Sequence, residues 1–309
     1  MGHRGWYDVS THYELCRGEI VLVKNIQVYP KSSCGRESVV EKIYKRIYEA
    51  FEGKTFRYCR KEYNKDFVFN ELAHFIPVCG ESYFNATNKN GKKLRVMLVG
   101  RATNGWGNIE ASNADEFAEK MKKRLKESNF DWIEVDDTNK LFSPSTSENQ
   151  TDYLISRSPF WRTARNIWIG LGGVSKTNEP KWMENIVWSN LYKIAPKDVP
   201  KGKVGNPTAK MRNVQHMMCK ELLQEEIEFY KPTHILLVTG LDWISWYGKD
   251  SFLSIFEQPV NNGDEYAIGS TWYKFNNGHR IPVVITRRPE FCKEKNFVDA
   301  VLKSFKQML

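Results

Sequence analysis

Four short apolar runs, at residues 94–99, 186–189, 234–239 and 282–286, constrain this chain more than any other feature. Each is rich in Val and Ile and closes in a polar or Gly-containing turn. Runs of this length read as strands buried on both faces. Helical patterns lie between them, at about 115–126, 158–170, 211–230 and 241–256, and a last one runs from about 296 to the end. Buried strands alternating with helices imply a mainly parallel sheet covered on both sides. The expected fold is therefore a three-layer α/β/α sandwich around a central, mainly parallel four-stranded sheet. The interval from Gly100 to Ile186 is too long for one crossover, so it must hold extra helices and a loop, at about 136–151.

Ahead of the first run, apolar pairs recur every four residues from Val39 to Phe51, and Ser38 with Glu41 fits a capping box. A polar stretch at 85–93 separates this portion from the rest. We expect an N-terminal, mostly helical extension over 1–90 packed on a core domain over 91–309.

The chain's 309 residues include ten Trp and 41% hydrophobic residues, too rich for a disordered chain. No run approaches the ~18 apolar residues of a membrane span. The first residues lack the apolar segment of a secretion signal, so a cytoplasmic location is expected. The six cysteines are scattered, with no C-x-x-C pair and no His at zinc spacing. Reduced thiols and no metal or other cofactor are expected. No P-loop and no nucleophile elbow occur, which lowers NTPase and α/β-hydrolase readings. The formal charge of +9 suggests a polyanionic partner.

Ligands of open parallel sheets bind where the strands end at their carboxyl edge. There the chain carries Gly100-Arg101-Ala102-Thr103-Asn104-Gly105-Trp106 after the first run and Asn190-Leu191-Tyr192-Lys193 at the end of the second. Gly240-Leu241-Asp242-Trp243 follows the third, and Arg287-Arg288-Pro289-Glu290-Phe291 follows the fourth. These four motifs, in this order, resemble the uracil-DNA glycosylase superfamily over roughly Leu94 to the C-terminus. The resemblance implies a hydrolase that flips a nucleotide out of DNA and cleaves its N-glycosidic bond. It implies base reading by Asn190, a charge-stabilising donor at Arg288 where the family carries a His before Pro, and an apolar wedge at Phe291. The family's first turn usually holds an acidic residue or Asn just after the Gly, where this chain has Arg101 and Ala102. Together with Arg288, that departure points to a modified, non-uracil pyrimidine, in base-excision repair or in defence against phage.

The residues themselves leave several roles open. An Asn side chain offers a donor and an acceptor that match a pyrimidine edge, or else caps a strand-end turn. Asn104, assisted by Thr103, is the candidate for positioning water, with Glu110, Asp152 and Asp242 as alternative loop carboxylates for the pocket. Trp106, Tyr192 and Trp243 are candidates for a stacking wall around a flipped base, or else ordinary packing. Arg101, Lys193, Lys197, Lys201, Lys203, Arg287 and Lys293 are the candidate phosphate contacts. Lys120, Lys122, Lys123, Arg124 and Lys126 form a further basic run whose simplest reading is a solvated helix face. The expected partner is double- or single-stranded DNA, bound by a monomer away from any membrane. The rival reading is a catalytically inactive DNA-binding protein that keeps the fold.

Overall fold

The computed structural model describes residues 13–16, 19–22, 38–60, 63–102, 109–131, 133–135, 141–143, 153–174, 180–197 and 205–309. The chain divides into two compact units, Met1–Arg36 and Glu37–Leu309. In the first unit the described residues form an antiparallel hairpin, Tyr13–Cys16 against Glu19–Leu22. The sheet, its helices and the cleft belong to the second unit.

Its main sheet has seven strands, which we number β1 (Val78–Cys79), β2 (Val96–Ala102), β3 (Ile186–Tyr192), β4 (His234–Val238), β5 (Val260–Asn261), β6 (Gly269–Lys274) and β7 (Arg280–Thr286). Their order is β5-β6-β7-β4-β2-β3-β1. The four apolar runs are the adjacent strands β7, β4, β2 and β3, which pair in parallel. Strand β1 adds antiparallel to β3, and the β5–β6 ribbon adds antiparallel to β7. The fold is mixed α/β, but the sheet is wider than four strands. The missed strands carry weak signals. β1 is two residues long, and β6 alternates buried with half-exposed positions, as an antiparallel strand near a sheet edge does.

Among the described residues five helices of more than two turns accompany the sheet: α1 (Val39–Phe51), α2 (Ala114–Glu127), α3 (Pro159–Gly170), α4 (Ala209–Tyr230) and α5 (Glu294–Met308). The two-residue period of the strands sorts their side chains into two apolar layers. Val96, Leu98, Ile186, Trp188, Leu236, Val238 and Val284 pack with Trp161, Ile167 and Trp168 of α3 and Phe297, Val301 and Phe305 of α5. Met97, Val99, Val187, Ile235, Leu237, Val283 and Ile285 pack on the other face with Cys219, Leu223 and Ile227 of α4. Each buried aliphatic side chain contributes about 1.5–3 kcal/mol, so this double layer dominates the energetics. Among the described residues no helix is long and apolar enough to cross a membrane.

The segment expected as a helix over 241–256 is instead one α turn, Leu241–Ile244, followed by 3-10 turns at Gly248–Asp250 and Phe252–Ile255. The Ser245 hydroxyl donates to the Leu241 carbonyl at 2.6 Å, competing with the helical ladder, and Gly248 takes a left-handed backbone with φ of 55°.

Residues 38–90 are less helical than expected. They hold α1, a hairpin pairing Phe56–Arg60 with Tyr63–Phe67, the strand Leu72–His74, and β1. The capping box forms as expected: Glu41 N–H donates to Ser38 Oγ at 3.2 Å and Ser38 N–H to Glu41 Oε2 at 2.8 Å. Tyr48 and Phe51 of α1 pack on Phe69, which also meets Phe117 of α2. The described part of the expected 136–151 loop is a strand, Leu141–Ser143, in a small three-stranded sheet.

His74 sits in this aromatic layer, against the rings of Phe69 and Phe117, and its Nδ1 accepts from Ile109 N–H at 3.1 Å. Burial pushes its pKa down to about 3. The unfolded chain therefore takes up a proton that the folded chain refuses. The stability tied to this neutral imidazole is complete above the unfolded value of ~6.5 and is lost as pH falls from there toward 3, at about 1.4 kcal/mol per pH unit. Between about pH 7 and about pH 4.5, urea denaturation should show wild type losing ~2–3 kcal/mol more than His74→Gln. Equal losses in the two proteins would show that His74 protonates freely in the folded state.

Candidate functional site

The parallel strands end on one edge of the sheet, and two of the strand-end turns frame a cleft of about 570 Å³ with the end of β2. Arg101, Asp242, Arg287, Arg288, Glu290 and Phe291 line it. Arg101 is the sixth residue of β2 and reaches sideways to the end of β4. Its Nε donates to the Thr239 carbonyl at 2.5 Å, and its guanidinium lies 3.5 Å from Asp242 Oδ1. Gly240 permits this approach. A Cβ there would come within 2.6 Å of Asp242 Oδ1 and 2.9 Å of an Arg101 nitrogen, and its φ is 76°. Burial lowers the Arg101 pKa, partly offset by Asp242, yet a guanidinium so far above neutrality stays charged.

The turn after β7 supplies the rest. Arg287 pairs with Glu265 at 2.8 Å, and Arg288 pairs with Glu290. Three arginines thus line the cleft, and each is paired with a carboxylate, Asp242, Glu265 or Glu290, so a bound anion competes with those carboxylates for the guanidinium donors. Phe291 stands at the tip, fully exposed and with φ of 65°. A bulky residue in the left-handed region is an outlier that costs on the order of 1–3 kcal/mol. An apolar ring held out in water on strained backbone gains nothing for the fold, and such strain collects at functional sites.

The sequence-derived candidates divide sharply. Arg101, Arg287, Arg288 and Phe291 converge on the cleft, and of the open carboxylates Asp242 joins them. Glu110 is exposed away from it, its carbonyl accepting from Lys120 Nζ, and Asp152 lies outside the described residues. Thr103, Asn104, Trp106, Lys201 and Lys203 also lie outside the described residues. Lys197 is half-buried and Lys293 is exposed just before α5.

Asn190 is not a lining residue. It is 1% exposed, and its Oδ1 lies over Gly100, where a Cβ would come within 2.3 Å. Among the described residues its Nδ2 finds no hydrogen-bond partner, an unusual state for a buried donor.

Tyr192 and Trp243 belong to the apolar layer on the α4 face and do not form a wall of the cleft. Tyr192 is fully buried, with its hydroxyl 3.2 Å from His216 Nδ1 and its ring edge-on to Trp243 and Phe252. Trp243 is 8% exposed, with the Arg101 guanidinium 5.2 Å from its ring centre.

Lys193 departs furthest from expectation. It is fully buried, and its Nζ bonds Glu226 at 2.8 Å, Ser189 Oγ at 2.8 Å and the Asn190 carbonyl at 2.8 Å. No phosphate can reach it. Burial raises the Glu226 pKa, while Lys193 and a 2.6 Å bond from Ser189 Oγ hold it down. This network was missed although its signal was present. Glu226 falls on the stripe of α4 that carries Cys219, Leu222, Leu223 and Tyr230, and a carboxylate in a buried stripe demands a buried cation.

The basic run on α2 is partly neutralised, Lys120 by Glu116 at 2.6 Å and Lys122 by Glu41 at 2.5 Å. Among the described residues no group of His, Cys, Asp or Glu could hold a metal ion, and Cys59, Cys219 and Cys292 form no disulfide. Chemically the cleft offers permanent cations beside an exposed ring, suited to phosphate oxygens or a departing anionic base. The chain matches no protein-family model and no curated protein, so the cleft is read from its own chemistry.

Proposed function

We propose that this protein is a DNA N-glycosylase, similar in kind to the uracil-DNA glycosylase superfamily, that everts a modified pyrimidine nucleotide and hydrolyses its N-glycosidic bond. Repair of damaged bases or defence against phage DNA is the setting such chemistry fits. The observation that carries the reading is Phe291, fully exposed on left-handed backbone at the mouth of an arginine-lined cleft. A ring so placed can fill the gap that an everted base leaves in the stack. Arg287 and Arg101 then meet phosphates. Arg288 faces the base as the C1′–N bond breaks and the electron pair passes to the ring; water adds its oxygen to C1′ and its proton ends on the base. Asn190 supports the reading through its spare Nδ2 donor, and its burial means that a base reaches it only if the strand-end turns part.

A second reading, eversion without cleavage, draws on a specific observation. Both carboxylates of the cleft lie beside arginines, Asp242 at 3.5 Å from Arg101 and Glu290 paired with Arg288, so a water competes with a guanidinium for each.

Duplexes carrying a modified pyrimidine beside 2-aminopurine separate these cases. Wild type should raise the 2-aminopurine emission and leave alkali-labile sites. Phe291→Ala should weaken binding and eversion by roughly 5- to 150-fold, the scale of one base–aromatic stack. A rise in emission without labile sites on any modified base selects the binding-only reading. No rise in emission, with Phe291→Ala behaving as wild type, rejects both.

A further inference from the structure

Beside the cleft, four side chains interleave. The Arg101 guanidinium lies over Trp243, and the Arg212 guanidinium, from the first turn of α4, lies 4.9 Å from the Trp243 ring centre and 4.0 Å from that of Trp246. The ladder Arg101–Trp243–Arg212–Trp246 thus leads outward from the cleft. Its inner indole is 8% exposed and its outer one 49%. Arg212 has no carboxylate partner among the described residues, and its buried Nε has no hydrogen-bond acceptor. A guanidinium clamped between two indoles is fixed in orientation and retains donors for an anion. A half-exposed Trp at the end of the ladder offers a π surface for a second planar group.

We propose that this ladder binds an unpaired stretch of the DNA strand that enters the cleft, one base stacking on Trp246 and a phosphate meeting Arg212. The inference rests on the proposed function and deepens it by naming the strand state of the substrate. Stacking on an indole needs a base with a free face, which a continuous duplex does not present. The phosphate accounts for the uncompensated guanidinium, and Arg101 belongs to both ladder and cleft, so one strand can run through both.

The test is fluorescence anisotropy of the full chain with a blunt duplex, the same duplex bearing an oligothymidine overhang, and free oligothymidine. Wild type should prefer the overhang to the blunt end. Trp246→Ala should lose about tenfold in affinity for the overhang, within the range of one base–aromatic stack, while binding the blunt duplex as wild type does. Trp246→Phe should restore most of the loss, and Arg212→Gln should lower overhang binding and flatten its salt dependence. The proposal is overturned if wild type binds both duplexes equally, if Trp246→Ala binds the overhang unchanged, or if polyglutamate displaces the overhang as well as oligothymidine does. The outcome separates from that of the proposed function. If wild type everts no base yet keeps its overhang preference, the glycosylase reading falls and the strand surface stands; if eversion persists without an overhang preference, only the strand surface falls.

Discussion

Replacing Glu226 with alanine is expected to cost about 3–5 kcal/mol of stability, because it strands the Lys193 ammonium in the core without a counter-charge. Both side chains are almost entirely buried, at 0% and 3% exposure, and the ammonium's other ligands, Ser189 Oγ and the Asn190 carbonyl, are neutral. Neutral dipoles cannot replace a carboxylate at 2.8 Å in a medium that screens weakly. The same pair adds little net stability over a well-packed apolar pair, since desolvation offsets most of its attraction. Lys193→Met with Glu226→Leu should therefore recover most of the loss. Denaturation midpoints of wild type, the single variant and the double variant measure this. A single variant within about 1 kcal/mol of wild type would mean that Lys193 reaches water when its partner is removed. Because the ammonium also ties down the Asn190 carbonyl, the single variant should loosen the end of β3 as well.

That network also marks where sequence stopped being informative. The four central strands were legible because burial on both faces favours apolar residues at most positions, as in the run from Ile235 to Val238, where all four are buried. The helices α2, α3, α4 and α5 were legible from amphipathic spacing. The 241–256 segment was misread because Ser245 and Gly248 each break a helix by a local bond or backbone angle that an apolar count does not register. At the strand ends, position along the chain tells which edge of the sheet a residue occupies and does not tell which way it turns. Arg101 and Lys193 are both cations at that edge, yet one lines the cleft and the other lies in the core. What decides Lys193 is Glu226, 33 residues later on another element; the buried stripe of α4 signals that Glu226 needs a cation, and packing alone fixes which one. Tyr192 and Trp243 turned inward for the same reason, drawn into the apolar layer with Phe252.

Replacing Arg288 with glutamine is expected to lower the rate of base release by about 10²–10³-fold, the cost of removing one donor from a developing oxyanion. In the glycosylase reading negative charge grows on the departing pyrimidine, and Arg288 is the cleft cation on the turn where the resembling family carries its histidine. This guanidinium is paired with Glu290, so it must exchange a carboxylate for the base. Glu290→Gln should then free Arg288 and tighten DNA binding, whereas Arg288→Lys should keep the charge and lose the planar fork that meets an oxygen in two places. The choice of arginine has a kinetic signature. A histidine donor loses its proton near pH ~6.5 and imposes a limb on the rate profile, whereas a guanidinium holds its charge from about pH 5 to about pH 8. Single-turnover formation of alkali-labile sites across that range should be free of a limb from this residue. If Arg288→Gln cleaves at the wild-type rate while still binding the duplex, the departing base is stabilised from elsewhere, and the arginines of this turn serve the phosphates alone.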